Sequence, residues 1–161
     1  MARHLLMVNN SIEVKLVSAE QVWPIRHIAM WPEADFSYIK LPEDPKGMHF
    51  GLLIDGELIS VVSLFDRGSG VFQFRKFATL PEHQGNGYGS LLLKHMLQHA
   101  RHMMARQIWC NARTHKQRFY EKFGFKSTGE TFIKKDQAYT IMALNGKEIN
   151  LTGFKNQTCQ V

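Results

Sequence analysis

Three glycines fall within five residues, at Gly85, Gly87 and Gly89, between a strand-like run and a long amphipathic pattern, and this junction most constrains what the chain can fold into. The run before it, Val71 to Thr79, is aromatic and β-compatible. After it, apolar residues recur at Tyr88, Leu92, Met96, Ala100 and Met103, with Leu93, Leu97 and Met104 beside them, which is one face of a helix. Glycines let backbone N–H groups crowd towards a ligand, and a helix start adds unpaired donors and the positive end of the dipole. A phosphate or pyrophosphate suits such a junction; a tight turn without a ligand is the other reading of the glycines alone. Two nucleotide motifs are excluded here. No Gly-Lys-Ser/Thr ending follows, which argues against a P-loop, and the spacing misses the G-x-G-x-x-G of a dinucleotide-binding turn.

The stretch Gln84-Gly-Asn-Gly-Tyr-Gly89 does fit Q/R-x-x-G-x-G/A. It resembles motif A of the GNAT superfamily of acetyl-CoA-dependent N-acetyltransferases. Further on, Phe119-Tyr-Glu-Lys-Phe-Gly-Phe125 resembles the F-Y-x-x-x-G-F helix end of the same family, and the two motifs stand in the family's order. The resemblance spans roughly residues 11 to 143.

Acetyl transfer from a thioester to an amine sets the remaining expectations. The N–H groups of Gly85, Asn86, Gly87, Tyr88 and Gly89, with Gln84 and Ser90 nearby, are expected to receive the pyrophosphate of acetyl-CoA. The resemblance implies that the backbone of Phe77, Ala78 and Thr79 runs beside the pantetheine arm like an added strand. A splay between that strand and the one containing Ile108 then makes the slot. It also implies a backbone donor near Phe77 or Ala78 for the thioester oxygen. Tyr120 matches the family tyrosine that supplies a proton or donor to the leaving thiolate; packing beside Phe119 is its plain alternative.

Two positions depart from the family pattern. Gln73 stands where some GNAT enzymes carry an acid, and an amide cannot act as a base. Arg113 stands where many have Asn, so Asn111 is the expected pantetheine contact instead. Glu82, His83 and His49 have suitable chemistry for a base without being assigned that role, and none of Arg113, Lys116 and Arg118 is singled out for the CoA phosphates.

Composition narrows the partners. With 161 residues, 44% of them hydrophobic, one domain over 1–161 is expected, with a core of about 11–143 and a polar C-terminal extension over 145–161. A formal charge of +6 favours anionic partners, but there is no dense Lys/Arg run, so nucleic acid is not an expected partner. Cys110 and Cys159 lie far apart and the eight histidines are dispersed, so neither a disulfide framework nor a metal site is expected. No signal peptide or long uncharged apolar run appears, which reads as no membrane segment and a cytoplasmic location.

Periodicity and turn residues, with the resemblance settling the ambiguous runs, predict the order β-α-β-β-β-α-β-α-β-β, a mixed, GNAT-like α/β sheet of about seven strands with flanking helices. Ile12, Val14 and Leu16 alternate as a half-buried strand. Ser18 and Gln21 form a capping box for a helix through about Trp31, and Thr114 and Gln117 form another. Asp55-Gly56 is a hairpin turn, and Gly124 suits a helix C-terminus. The irregular connection from Trp31 to Gly47 carries Glu33, Asp35, Glu43 and Asp44 among aromatics, and is expected to border the acceptor site and favour a cationic amine. The function expected is N-acetyl transfer from acetyl-CoA to a primary amine, small-molecule or peptide, by direct attack in a ternary complex. The alternative is a CoA- or acyl-CoA-binding regulatory or sensor domain without turnover. Acceptor identity and oligomeric state stay open.

Overall fold

The computed structural model describes residues 10–149. In chain order these form β1 (Ile12–Val17), α1 (Ala19–Met30), β2 (Met48–Ile54), β3 (Glu57–Asp66), β4 (Val71–Thr79), α2 (Tyr88–His102), β5 (Gln107–Arg113), α3 (Gln117–Glu121), β6 (Lys126–Lys134) and β7 (Gln137–Asn145). That is the order expected from the sequence and the resemblance together. The strands make one mixed sheet, ordered β1-β2-β3-β4-β5-β7-β6. Only β4 and β5 pair in parallel, because α2 carries the chain back between them; the other pairs are antiparallel.

The central strands are covered on both faces. In β3 every residue from Ile59 to Phe65 is buried, a continuous run rather than an alternation. Successive strand residues point to opposite faces, and their neighbours identify what covers each. Phe50 on β2 packs edge-on against His95 and His99 of α2. His49, one residue earlier, faces the α1 side, where its Nδ1 lies 2.7 Å from Ser63 Oγ and its Nε2 2.9 Å from the Asp44 carbonyl. Arg26 of α1 donates to both carboxylate oxygens of Asp44, at 2.8 and 2.9 Å, and to Ser63. Burial works against the Asp44 charge, but donors from Arg26, Leu41 and Trp23 hold its carboxyl below the usual range. The connection after α1 is thereby tied to the sheet, and His49 is a structural residue.

The first helix runs to Met30 with Trp31 as its C-cap, and the Ser18–Gln21 capping box forms, both as expected. Three sequence expectations are corrected. In β1, Ile12 and Leu16 are 47% and 54% exposed, and Val14 and Val17 are the residues that reach the core. The second capping box does not form. A 3-10 turn from Thr114 to Lys116 precedes α3, and Thr114 spends its hydroxyl on Thr140 Oγ1 at 3.0 Å. Finally, the beginning of the expected polar extension packs into the fold: a 3-10 turn over Gly146–Glu148 leads to Ile149, which is buried in the core. Leu151, Phe154 and Cys159 lie outside the described residues.

Gly146 shows why this end is fixed. A Cβ built there would collide with the Ala105 carbonyl oxygen, while Gly146 N donates to Arg106 O at 2.9 Å. Backbone cannot yield as a side-chain tip does, so Gly146→Ala is expected to cost about 1–3 kcal/mol, read as a lower midpoint in chemical denaturation. An unchanged midpoint would mean that this contact is loose.

Candidate active site

The parallel pair that anchors the sheet is short. β4 and β5 pair only at Val71–Gln107, Phe72–Ile108 and Gln73–Trp109, and then part. From Phe74 onward β4 has no partner on that side, so its backbone polar groups are available to a guest. A cleft of about 640 Å³ opens between the two strands, reaching from Phe74 to the glycine loop and across to α3.

A bulge shapes the β4 wall. The β3–β4 register shifts between Val61 and Ser63, so that Lys76 and Phe77 stand against Val62 alone. Lys76 takes a left-handed backbone with φ of 56°, rare for a lysine. Past the bulge the strand is pinned to β3: Ser60 Oγ donates to the Ala78 carbonyl at 3.2 Å and lies 2.7 Å from Thr79 Oγ1. Phe77, Ala78 and Thr79 all line the cleft.

The glycine loop closes one end. Gly85 and Gly87 have φ of 79° and 82°, and a Cβ added to either meets nothing within 4 Å. These glycines are therefore required by backbone conformation and not by crowding. Gly89 differs: its Cβ would approach Phe77 Cζ at 3.1 Å, so its lack of a side chain lets α2 start close against β4. Among the described residues, no turn or cap bond uses the N–H groups of Gly85, Asn86 and Gly87. Those of Tyr88, Gly89 and Ser90 open α2, where a helix leaves its first donors unpaired. Converging donors, open space and a helix N-terminus fit a pyrophosphate. Gln84 folds back to donate to the Thr79 carbonyl at 3.0 Å. The Asn86 side chain does not line the cleft; it donates to the carbonyls of His83 and Gln84 and braces the loop.

Tyr120 stands across the cleft from β4, its ring 5.9 Å from Phe74, 5.1 Å from Phe119 and 6.1 Å from Phe125. Its hydroxyl has no hydrogen bond to any described residue. Burial, with a smaller contribution from Cys110, pushes the phenol pKa up, against a small opposing pull from Arg113. Tyr120 is therefore protonated at neutral pH. Phe77 and Phe119 stack with centroids 6.0 Å apart, fixing α3 against β4. Cys110 also lines the cleft, but burial pushes its thiol pKa up, which leaves it a poor nucleophile.

The other expected positions separate cleanly. Asn111, Arg113, Lys116 and His83 line the cleft, whereas Arg118 and Glu82 do not. Gln73 is occupied: its Oε1 accepts from Arg67 Nε at 3.0 Å and from a second Arg67 nitrogen at 2.6 Å.

Beyond Asn111 the cleft runs into a smaller chamber of about 170 Å³, which shares Met30, Phe74, Arg75, Lys76, Asn111 and Tyr139 with it. The chamber adds Trp31 and Tyr38, so the connection after α1 does border the site. Its acidic residues do not. Asp35 caps a 3-10 turn by accepting from Ser37, Glu43 pairs with Arg67 and Arg75, Asp44 is buried on Arg26, and Glu33 is absent from the lining. The cationic-amine expectation loses its basis. Neutralising Glu33 and Asp35 together is accordingly expected to leave the acceptor KM unchanged, as initial-rate assays would show.

Sequence reasoning missed Lys76, Lys134, Lys135 and Tyr139 as site residues. Lys134 and Lys135 lie at the end of β6 and in the turn to β7, and their place at the chamber depends on the sheet order. Nothing in the sequence marks the bulge at Lys76.

The Acetyltransferase (GNAT) family model matches residues 16–125, which holds both motifs and the splayed strands. The chain belongs to the GNAT acetyltransferase family. The uncharacterized N-acetyltransferase YitI of Bacillus subtilis (strain 168) is 34% identical over 133 residues, which cover 75% of this chain and 87% of that one. Among solved structures, one from Lactobacillus plantarum assigned as an N-acetyltransferase superposes with a TM-score of 0.76 at 17% identity, over 84% of this chain and 99% of that one. A GNAT family acetyltransferase from Elizabethkingia anophelis with acetyl-CoA bound gives a TM-score of 0.65 at 16% identity, over 83% and 97%. At those identities the two structures speak to the fold alone. The family match and the 34% identical relative make this GNAT protein an acetyltransferase enzyme, and the two structures agree with its mixed seven-stranded sheet.

Proposed function

We propose that this GNAT enzyme transfers the acetyl group of acetyl-CoA to a primary amine by direct attack, with both substrates bound at once. The observation that carries the reading is the splay between β4 and β5, which puts the glycine loop, the free edge of β4 and Tyr120 around one cleft. Acetyl-CoA use draws support from the Elizabethkingia anophelis structure, whose ligand is acetyl-CoA.

In this reading the N–H groups of residues 85–90 receive the pyrophosphate, and Arg113 and Lys116 add positive charge along the cleft. The unpaired edge of β4 at Phe77, Ala78 and Thr79 holds the pantetheine arm as an antiparallel or parallel strand would be held, with Asn111 on the facing wall. A backbone N–H at Phe77 or Ala78 donates to the thioester oxygen as negative charge develops there. The neutral amine enters from the chamber side, its nitrogen bonds to the carbonyl carbon, and the carbon–sulfur bond breaks with its electron pair on sulfur. Tyr120 donates a hydrogen bond to that thiolate. The proton given up by the amine leaves through water, and free CoA ends as the thiol.

Among the described residues no carboxylate lines either cavity, so this reading assigns none as the base. An amine panel with acetyl-CoA, followed by release of free thiol and by detection of the amide, tests the function. Acetylation of at least one primary amine is expected. Acetyl-CoA that binds and is never consumed by any amine in the panel would defeat the reading.

A further inference from the structure

Among the described residues, the chamber beyond Asn111 is lined by four cations and no acid. Arg75 and Lys76 come from the bulged part of β4, and Lys134 and Lys135 from the end of β6 and its turn. One of these charges is partly used, since Arg75 donates to Glu43 Oε1 at 2.7 Å. Lys76, Lys134 and Lys135 form no ion pair with any described residue. Solvated lysines are common on a surface, and Lys134 and Lys135 are exposed, but Lys76 and Lys135 have fixed surroundings. Lys76 is half-buried on a bulge. Lys135 Nζ sits 3.7 Å above the Tyr38 ring and 5.6 Å from the Trp31 ring, bridging the connection after α1 to the β6–β7 turn across the chamber.

We infer that the acceptor is a small amine that also carries an anionic group, a carboxylate or a phosphate, which Lys76, Lys134 and Lys135 receive while the amine faces the thioester. The inference rests on the acetyl-transfer reading above and names the acceptor class for it. Like charges gathered in a partly desolvated chamber oppose one another, and an anion relieves that cost. The opposition is visible at Lys76, whose pKa is lowered to about 8 by burial first and then by Arg75, Arg26 and Lys134. Volume points the same way. About 170 Å³ is below the roughly 300–1,000 Å³ of sites for drug-sized ligands, so the chamber holds a small molecule or the end of a larger one. Its aromatic walls, with Phe132 and Tyr139 stacked 5.1 Å apart, suit the apolar part of such an acceptor.

The same charges answer the missing base. A positive field disfavours an ammonium ion, so it lowers the pKa of the amine it surrounds and raises the neutral, attacking fraction. A polyamine would be repelled by the same charges and would bring no anion for them to receive.

The test compares matched acceptors: amino acids, the corresponding amino acid amides, the corresponding aminoalkyl phosphates, and a linear polyamine. Each is assayed with acetyl-CoA and, separately, titrated by calorimetry into protein saturated with CoA. At least a tenfold preference in kcat/KM and in affinity is expected for one anionic series over the amides, and the better series tells carboxylate from phosphate. In Lys134→Glu with Lys135→Glu, both in an exposed hairpin end, the anion-to-amide ratio is expected to fall to about one or invert. Lys134→Gln with Lys135→Gln serves if the charge reversal misfolds. Amides or the polyamine preferred in the wild type, or a ratio untouched by these changes, would overturn the inference. Anion-selective binding without turnover would keep the anion site and remove the acetyl-transfer reading. Turnover without anion preference would do the reverse, and neither turnover nor selective binding would remove both.

Discussion

Tyr120→Phe is expected to lower kcat by about 10²-fold, near the low end of the roughly 10²–10⁴-fold range of general-acid contributions, with acetyl-CoA affinity close to wild type. The low end follows from the environment of the phenol. Burial pushes its pKa up, and an ordinary thiol titrates near 8.5 against about 10 for tyrosine, so complete proton transfer to the thiolate runs uphill. A hydrogen bond to sulfur as charge develops is the larger part of what Tyr120 offers, and the dry surroundings strengthen it. Stability is expected to change little. The hydroxyl bonds no described residue, and phenylalanine keeps the ring against Phe74, Phe119 and Phe125. A large drop in thermal midpoint with the loss of rate would assign Tyr120 to packing, and full turnover would remove it from the chemistry.

Gly87→Val is expected to weaken acetyl-CoA by at least about 10²-fold. The reason is conformational. Gly87 caps α2 with φ of 82°, in open space, so the side chain itself strikes nothing. A β-branched residue cannot hold that backbone cheaply, and a left-handed conformation costs an L-residue about 1–2 kcal/mol. Relaxing it turns the N–H groups of residues 86–89 away from one another. Hydrogen bonds to a charged group contribute about 1.5–3 kcal/mol each, so losing two is enough for the expected change. Gly87→Ala, with less bulk at the same φ, should lie between. Calorimetry on variants shown by circular dichroism to be folded measures this, and wild-type affinity in Gly87→Val would show that the loop does not bind pyrophosphate.

Local signals proved legible where one short segment decides the conformation. Asp55 and Gly56 both take positive φ, at 50° and 83°, as a tight hairpin turn requires. Gly124, at 95°, ends α3 where a glycine is favoured, and the glycine loop lies between β4 and α2 as its spacing suggests. What stayed hidden depends on partners far along the chain. Glu43 reads as an acid free to meet an amine until β3 and β4 bring Arg67 and Arg75 to it. Asp44 likewise disappears into the protein because α1 delivers Arg26. The chamber cations follow the same rule. Lys134 and Lys135 reach the site only because β7 inserts between β5 and β6, which no periodicity records. The β4 bulge has no signal at all, since lysine does not favour φ of 56°.

Direct transfer from acetyl-CoA to an amine is tested most directly by a single turnover with acetyl-labelled acetyl-CoA, with excess enzyme and an amine found active in the panel. The label in amide, in intact acetyl-CoA and on protein is followed over time. The predicted result is label passing from acetyl-CoA to the amide in step with free CoA, with none attached to the protein at any time, as a buried Cys110 with a raised thiol pKa requires. Label appearing first on the protein, or remaining in bound acetyl-CoA with no amide formed, would contradict it.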